Sequence, residues 1–184
     1  GARDEQGKLT AVYAATEEQV RALSHRIPVA TTAIAEMFTA AARMEVPTDK
    51  LSDFVLMASE MATAFDAVPA EITDTMGKVA GNFKIPLTEI RGLADSINYL
   101  DDNAKSKGAD IIDFLNRTSG VVSTVAMSAQ DAAALGSTLL SLGERAETAS
   151  TATNSIMQRF AAATKGTKKF QSAMAELGLS SEAV

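Results

Sequence analysis

Apolar residues recur every three or four positions along almost the whole chain, and the alternation expected of strands is nearly absent. That spacing predicts a succession of short amphipathic helices. Thr16-Glu17-Glu18-Gln19 reads as a capping box, opening a helix through Ala22 and Leu23 to about Arg26. Pro28 restarts the chain for a helix with Ile34, Met37, Phe38 and Ala41 on one face. Val46-Pro47-Thr48 marks the next start, because a proline in the first turn loses no helical hydrogen bond. The helix behind it carries the stripe Leu51, Phe54, Val55, Ala58, Met61, Ala62 and Phe65. Val68-Pro69 precedes Ile72, Met76, Val79 and Phe83, and Ile85-Pro86 precedes Ile90, Leu93, Ala94, Ile97 and Leu100.

Asp101 to Gly108 is polar and turn-like. Beyond it lie Ile111, Phe114, Leu115, Val122 and Val125, with Gly120 a weak point among them. Ser128, with Asp131 three residues on, caps a helix bearing Ala132, Leu135, Leu139 and Leu142, and Gly143 ends it. Another helix runs from about Thr148 through Ile156 and Phe160 to Ala163. Gly166 breaks it before a last amphipathic stretch with Phe170, Met174 and Leu177. The predicted fold class is all-α, with about nine short amphipathic helices packed as successive helix hairpins. Each is too short to be stable alone, so tertiary packing must hold it. Ala58, Ala62, Ala94, Ala132 and Ala152 would allow close helix approach.

These hairpins look repeated. A shift of 39 places Val46-Pro47 on Ile85-Pro86, Leu51 on Ile90, Phe54 on Leu93 and Ile72 on Ile111. A further shift of 42 places Leu93 on Leu135, Phe114 on Ile156 and Leu115 on Met157. A repeat of about 40 residues favours a stacked array over a four-helix bundle. Amphipathic helices in any all-α protein can mimic such a register, so the repeat is an expectation for the structure to decide.

Composition agrees with helix: 46% of the 184 residues are hydrophobic, 5% aromatic, and there is no Trp. The absence of Cys excludes disulfides, thiolate metal sites and cysteine catalysis. No apolar run approaches the ~18 residues that a membrane-spanning helix needs. Gly1-Ala2 opens the chain without an initiator Met and reads as a cleavage scar ahead of a fragment of a longer protein. Residues 1–15 are expected to be an N-terminal extension, either a helix end or disordered, and residues 16–184 the helical domain. The net charge of −6 argues against duplex DNA as the main partner. Charge is uneven: seven acids (Glu45, Asp49, Asp53, Glu60, Asp66, Glu71, Asp74) face two lysines between Glu45 and Phe83. Between Thr148 and Phe170 there are Arg159, Lys165, Lys168 and Lys169 and no acid. Such asymmetry could guide packing between copies, or be no more than solvated helix faces.

No catalytic, cofactor-binding or metal-binding residue is assigned. The phosphate-binding glycine loop, Gly-x-Ser-x-Gly, His-Glu-x-x-His and the calcium loop are all missing. His25 is the only histidine, which rules out a multi-His metal site or a His-oriented triad within one chain, and it is expected near a helix C-terminus. The carboxylate pairs Glu17-Glu18 and Asp101-Asp102 lack the aromatic-lined cleft of a glycosidase. Asp101-Asp102-Asn103 reads as a helix end and its turn. Met37, Met57, Met61, Met76, Met127, Met157 and Met174 fall mostly on core stripes. Met57 and Leu56 lie off the main stripe of their helix and suggest a second apolar face, toward another hairpin or another subunit.

Several passages together resemble the core region of phage tail tape-measure proteins, the minor tail proteins of long-tailed phages. They are Met61-Ala62-Thr63-Ala64-Phe65-Asp66, Leu93 to Leu100, Ala109 to Arg117, Ser128 to Gly136, Thr148 to Phe160, and Glu176-Leu177-Gly178-Leu179-Ser180. Their order and spacing across roughly residues 16–184 carry the resemblance. The charged link Gly143-Glu144-Arg145-Ala146-Glu147 departs from it, since a more Gly-rich connection is expected there. The resemblance implies a virion protein of the tail lumen, assembled in the host cytoplasm, whose length sets tail length. It also implies release on infection to assist DNA passage into the host. The implied partners are the tail tube protein, tail assembly chaperones and tail tip or baseplate proteins, with self-association also open. Neither sequence-specific nucleic acid nor a cofactor is implied. The rival readings are a helical adaptor or scaffold module without ruler function and, less well, a helical signalling or pore-associated segment. An enzyme is the weakest reading.

Overall fold

The computed structural model describes residues 11–86, 89–162, 168–176 and 178, with backbone alone at 11, 12, 170 and 174. Every regular element among them is helical. In order these are α1 (Ala11–Ser24), α2 (Thr31–Arg43), α3 (Leu51–Ala64), α4 (Pro69–Phe83), α5 (Ile90–Asn103), α6 (Gly108–Val122), α7 (Ala129–Ser141), α8 (Ala146–Ala161) and α9 (Lys168–Glu176), with a 3-10 turn at Ser123–Val125. The all-α succession of short helices expected from the apolar spacing is the fold. Three boundaries move. α1 already includes Ala11, so Thr16 and Gln19 lie inside it rather than capping its start. Gly120 does not interrupt α6, whose backbone bonds carry it through to Val122. α5 continues through Asn103, so the polar turn is shorter than its sequence suggests. The expected break at Gly166 and the apolar face of the last helix lie outside the described residues.

The helix starts show a single period. α3, α5, α7 and α9 begin 39 residues apart at 51, 90, 129 and 168, and α4 and α6 begin 39 apart at 69 and 108. α2, at 31, and α8, at 146, each lie 38 from the neighbouring second helix. The shift of 42 for the third hairpin is therefore wrong. It set fully buried Phe114 on Ile156, which is 51% exposed. Aligning helix starts instead gives Ile34, Ile72, Ile111 and Ala149 in one column and Phe38, Met76, Leu115 and Thr153 in the next, all buried. In the first helices, Leu51, Ile90 and Ala129 align, as do Phe54, Leu93 and Ala132, and Val55, Ala94 and Ala133; all are buried. Burial of each large aliphatic or aromatic member contributes about 1.5–3 kcal/mol, so the stripes hold helices too short to persist alone.

What ends the helices is also repeated. After α2, Glu45 turns left-handed (φ 59°), its N–H bonds Ala42 O, and the N–H of Val46 reaches back to Ala41 O. After α4, Lys84 (φ 54°) bonds Gly81 O and Ile85 reaches Ala80 O. After α7, Gly143 (φ 100°) bonds Leu140 O and Glu144 reaches Leu139 O. Each is a Schellman end, which satisfies carbonyls that the helix leaves free. Pro47 and Pro86 follow one residue after the first two of these ends and accept at O from Lys50 and Glu89, both at 2.8 Å. The helices they announce start later, at Leu51 and Ile90, while Pro69 is the first residue of α4 as expected. Ser128 caps α7 as its sequence predicts: its Oγ accepts from Asp131 N at 3.0 Å and donates to Asp131 Oδ2 at 2.7 Å.

The chain forms two compact units, one up to Ala80 together with Ile85–Ala94, the other Gly81–Lys84 together with Asp95 onward. In the first, α1 packs on α2, α2 on α3, and α1 also on α3. In the second, α6 packs on both α7 and α8, α7 on α8, and the 3-10 turn on α6 and α8. Among α1–α3 and among α6–α8, each helix thus packs on both of the others. Met57, off the expected stripe, is nonetheless buried, and it shares a recess with Phe54, Leu56, Ile90 and Arg91. The second apolar face of its helix is therefore used within the first unit. Of the alanines expected at close approaches, Ala58, Ala62, Ala94 and Ala132 are buried, but Ala152 is exposed, because it falls between the α8 stripe positions Ala149 and Thr153. Gly136 marks a close approach in the second unit, since a Cβ there would lie 2.5 Å from the Phe114 ring.

Candidate functional surfaces

The residues with conventional chemistry are scattered. Glu17 is on the exposed face of α1, paired to Arg21 at 2.7 Å, with Glu18 exposed beside it. His25 is exposed just past the end of α1, where its position near a helix C-terminus was expected. Asp101 accepts at Oδ1 from Gly108 N at 2.6 Å, so a carboxylate from α5 satisfies a free N–H at the start of α6. Asp102 accepts from Asn98 Nδ2 at 3.2 Å on its own helix. Among the described residues no group of three or more His, Cys, Asp or Glu side chains could hold a metal ion. No described helix is long and apolar enough to cross a membrane.

The polar groups that do come together join one hairpin to the next. In the first unit, Arg43 on α2 meets Asp74 on α4 at 3.8 Å, and Glu60 on α3 meets Arg91 on α5 at 3.0 Å, each pair 31 residues apart. In the second unit, Asn82 Nδ2 donates to Ser119 Oγ at 2.8 Å and Asn154 Nδ2 donates to Arg117 O at 3.0 Å, each pair 37 apart. The hydroxyls of Ser106 and Ser137, both buried, share a hydrogen bond of 2.7 Å. Of these contacts the Ser106–Ser137 bond is the buried one, where an unpaired hydroxyl would be costly, while the exposed ion pairs add little. None was legible in the sequence, because single charged or amide residues on an amphipathic helix look alike whether bonded or solvated.

Among the described residues, apolar side chains are exposed on both units. On the first unit a cavity of about 690 Å³ is lined by Tyr13 and Val20 of α1, Ala35, Phe38 and Thr39 of α2, and Leu51 of α3, among others. Tyr13 is 53% exposed at its edge. On the second unit, Ile156 and Phe160 of α8 are 51% and 40% exposed.

The protein class defined by these helical hairpins can be given a family. The chain belongs to the phage-related minor tail protein family, which matches residues 17–184. Within that setting it is similar to a protein named "Probable tape measure protein" from Halomonas phage phiHAP-1, at 31% identity over 111 residues. The match covers 60% of this chain and 13% of that relative's length. No solved structure matches the chain. The resemblance read from the ordered sequence passages thus stands with the family.

Proposed function

We propose that the chain is a compact, structural and non-catalytic module of a tape-measure protein, housed in the phage tail lumen. Long helices elsewhere in that protein set tail length, and this module holds its place among tube or tip proteins. The observation that carries this reading is the joining of family membership to a chain cut into hairpins. The longest described helix, α8, has 16 residues and spans only about 24 Å at 1.5 Å per residue. A stretch that folds back every such length is a poor ruler. On infection the module leaves the tail with the rest of the protein and assists DNA passage. Immunogold labelling of purified particles with an antibody to the folded chain tests this. Label is expected on opened tails of intact particles and not on those of particles that have ejected their DNA. Equal labelling of both sets would remove release from the account, and label confined to heads or to host cytoplasm would remove the tail.

A further inference from the structure

The second helices of the four hairpins place residues in equivalent columns when their starts are aligned. Ten residues after the start stand Ala41, Val79, Thr118 and Ile156. The first three are fully buried, yet Ile156, the largest of them, is 51% exposed. Fourteen residues after the start, Val122 of α6 is fully buried while Phe160 of α8 is 40% exposed. The first half of α8 behaves like its counterparts, with Ala146, Ala149, Ser150 and Thr153 buried. Only the half that another hairpin would cover is open, and it holds larger apolar side chains than its buried equivalents in α6.

The described side chains of α9 do not continue the stripe. The helix starts one period after α7, but at the stripe positions it has Lys168, Gln171, Ser172 and Ala175, all exposed, where α3 has Leu51, Phe54, Val55 and Ala58. A repeat array normally closes each end with a polar face. Here the last stripe-bearing hairpin ends apolar, and the first carries the open groove of Tyr13, Val20 and Phe38. The geometry points to head-to-tail association of copies, in which Ile156 and Phe160 of one copy enter the α1–α2 groove of another. The interface continues the hairpin-on-hairpin packing already present within each unit. Its two faces differ, so association does not stop at two copies unless a ring closes.

Sedimentation velocity of the whole chain over about a hundredfold range of concentration tests this, since a weak contact populates only at the upper end. The expected result is a mass that rises steadily with concentration. The paired substitution Ile156→Asp and Phe160→Asp, and separately Ala35→Glu with Thr39→Glu in the groove, should each weaken association by at least about tenfold, the effect of losing 1.4 kcal/mol. Circular dichroism should keep the helical signal. Mixed, the two variants keep one intact face each and should form a dimer and nothing larger. A natural chain that stays monomeric throughout overturns the proposal. So does association that survives both pairs of substitutions, or that saturates at a symmetric dimer.

Discussion

The helices α3 and α7 occupy the same place two periods apart in the repeat and bury the same positions with very different side chains. α3 fills its stripe with Leu51, Phe54, Val55 and Ala58, and α7 with Ala129, Ala132, Ala133 and Gly136. The 39-residue period therefore conserves the direction of each face, not its volume. In the first unit the helix brings its own bulk. In the second, the backbone of α7 comes close and a neighbour supplies the bulk, chiefly Phe114 of α6 against Gly136, with Ala146 and Ala149 in the same cluster.

The largest effect should come from removing that shared ring. Phe114→Ala is expected to cost about 3–5 kcal/mol, because the small residues of α7 cannot collapse into the space. Urea unfolding followed by helical signal measures it, and a loss below that of an exposed substitution would refute the division of bulk. Gly136→Ala should come next. Helix propensity alone would stabilise it by about 0.8–1 kcal/mol, but the added Cβ meets the ring, and overpacking of about 1–3 kcal/mol should win. At the equivalent α3 position Ala58 already carries that methyl group and is buried without difficulty.

Ser137→Ala should destabilise the second unit by about 1–3 kcal/mol, since it strands the buried Ser106 hydroxyl. The replacement of both serines by alanine should recover part of the loss. In the first unit, Arg91→Ala breaks an ion pair whose partners are both about half exposed, and the change should stay below about 1 kcal/mol and shrink with salt. Glu45→Gly and Lys84→Gly should each stabilise by up to about 1 kcal/mol, because both residues sit at left-handed helix ends that favour glycine. A thermal melt that moves down for both would show that their side chains hold the turns.

These left-handed ends explain part of what the sequence could and could not tell. The stripes were legible because a buried helix face imposes the period of 3.6 on residue choice. Ser128 and Gly143 were legible because a hydroxyl cap and a glycine end are direct chemical signals. Glu45, Asp66 and Lys84 end their helices left-handed without any such signal, and Lys50, Lys107 and Arg145 stand at N-caps without a side-chain cap bond. Boundaries there had to be guessed from prolines, which lie four residues ahead of α3 and α5. The register of the last hairpin failed for another reason. Ile156 and Met157 were matched to the buried Phe114 and Leu115, whereas the aligned helices bury small residues at α8 and leave Ile156 open. Periodicity reports that a face is apolar and is silent on what covers it.

The period itself offers the most direct test of the proposed role. Removing residues 46–84 from the gene in frame deletes one repeat and places Ile85-Pro86 directly after Glu45, where Val46-Pro47 stood. The join keeps both the left-handed helix end and the proline turn. If this region measured length as continuous helix, tails would shorten by about 58 Å, at 1.5 Å for each residue removed. A folded hairpin module predicts tails of unchanged length in electron micrographs of the mutant phage. Shortening in proportion to the deleted residues would contradict it.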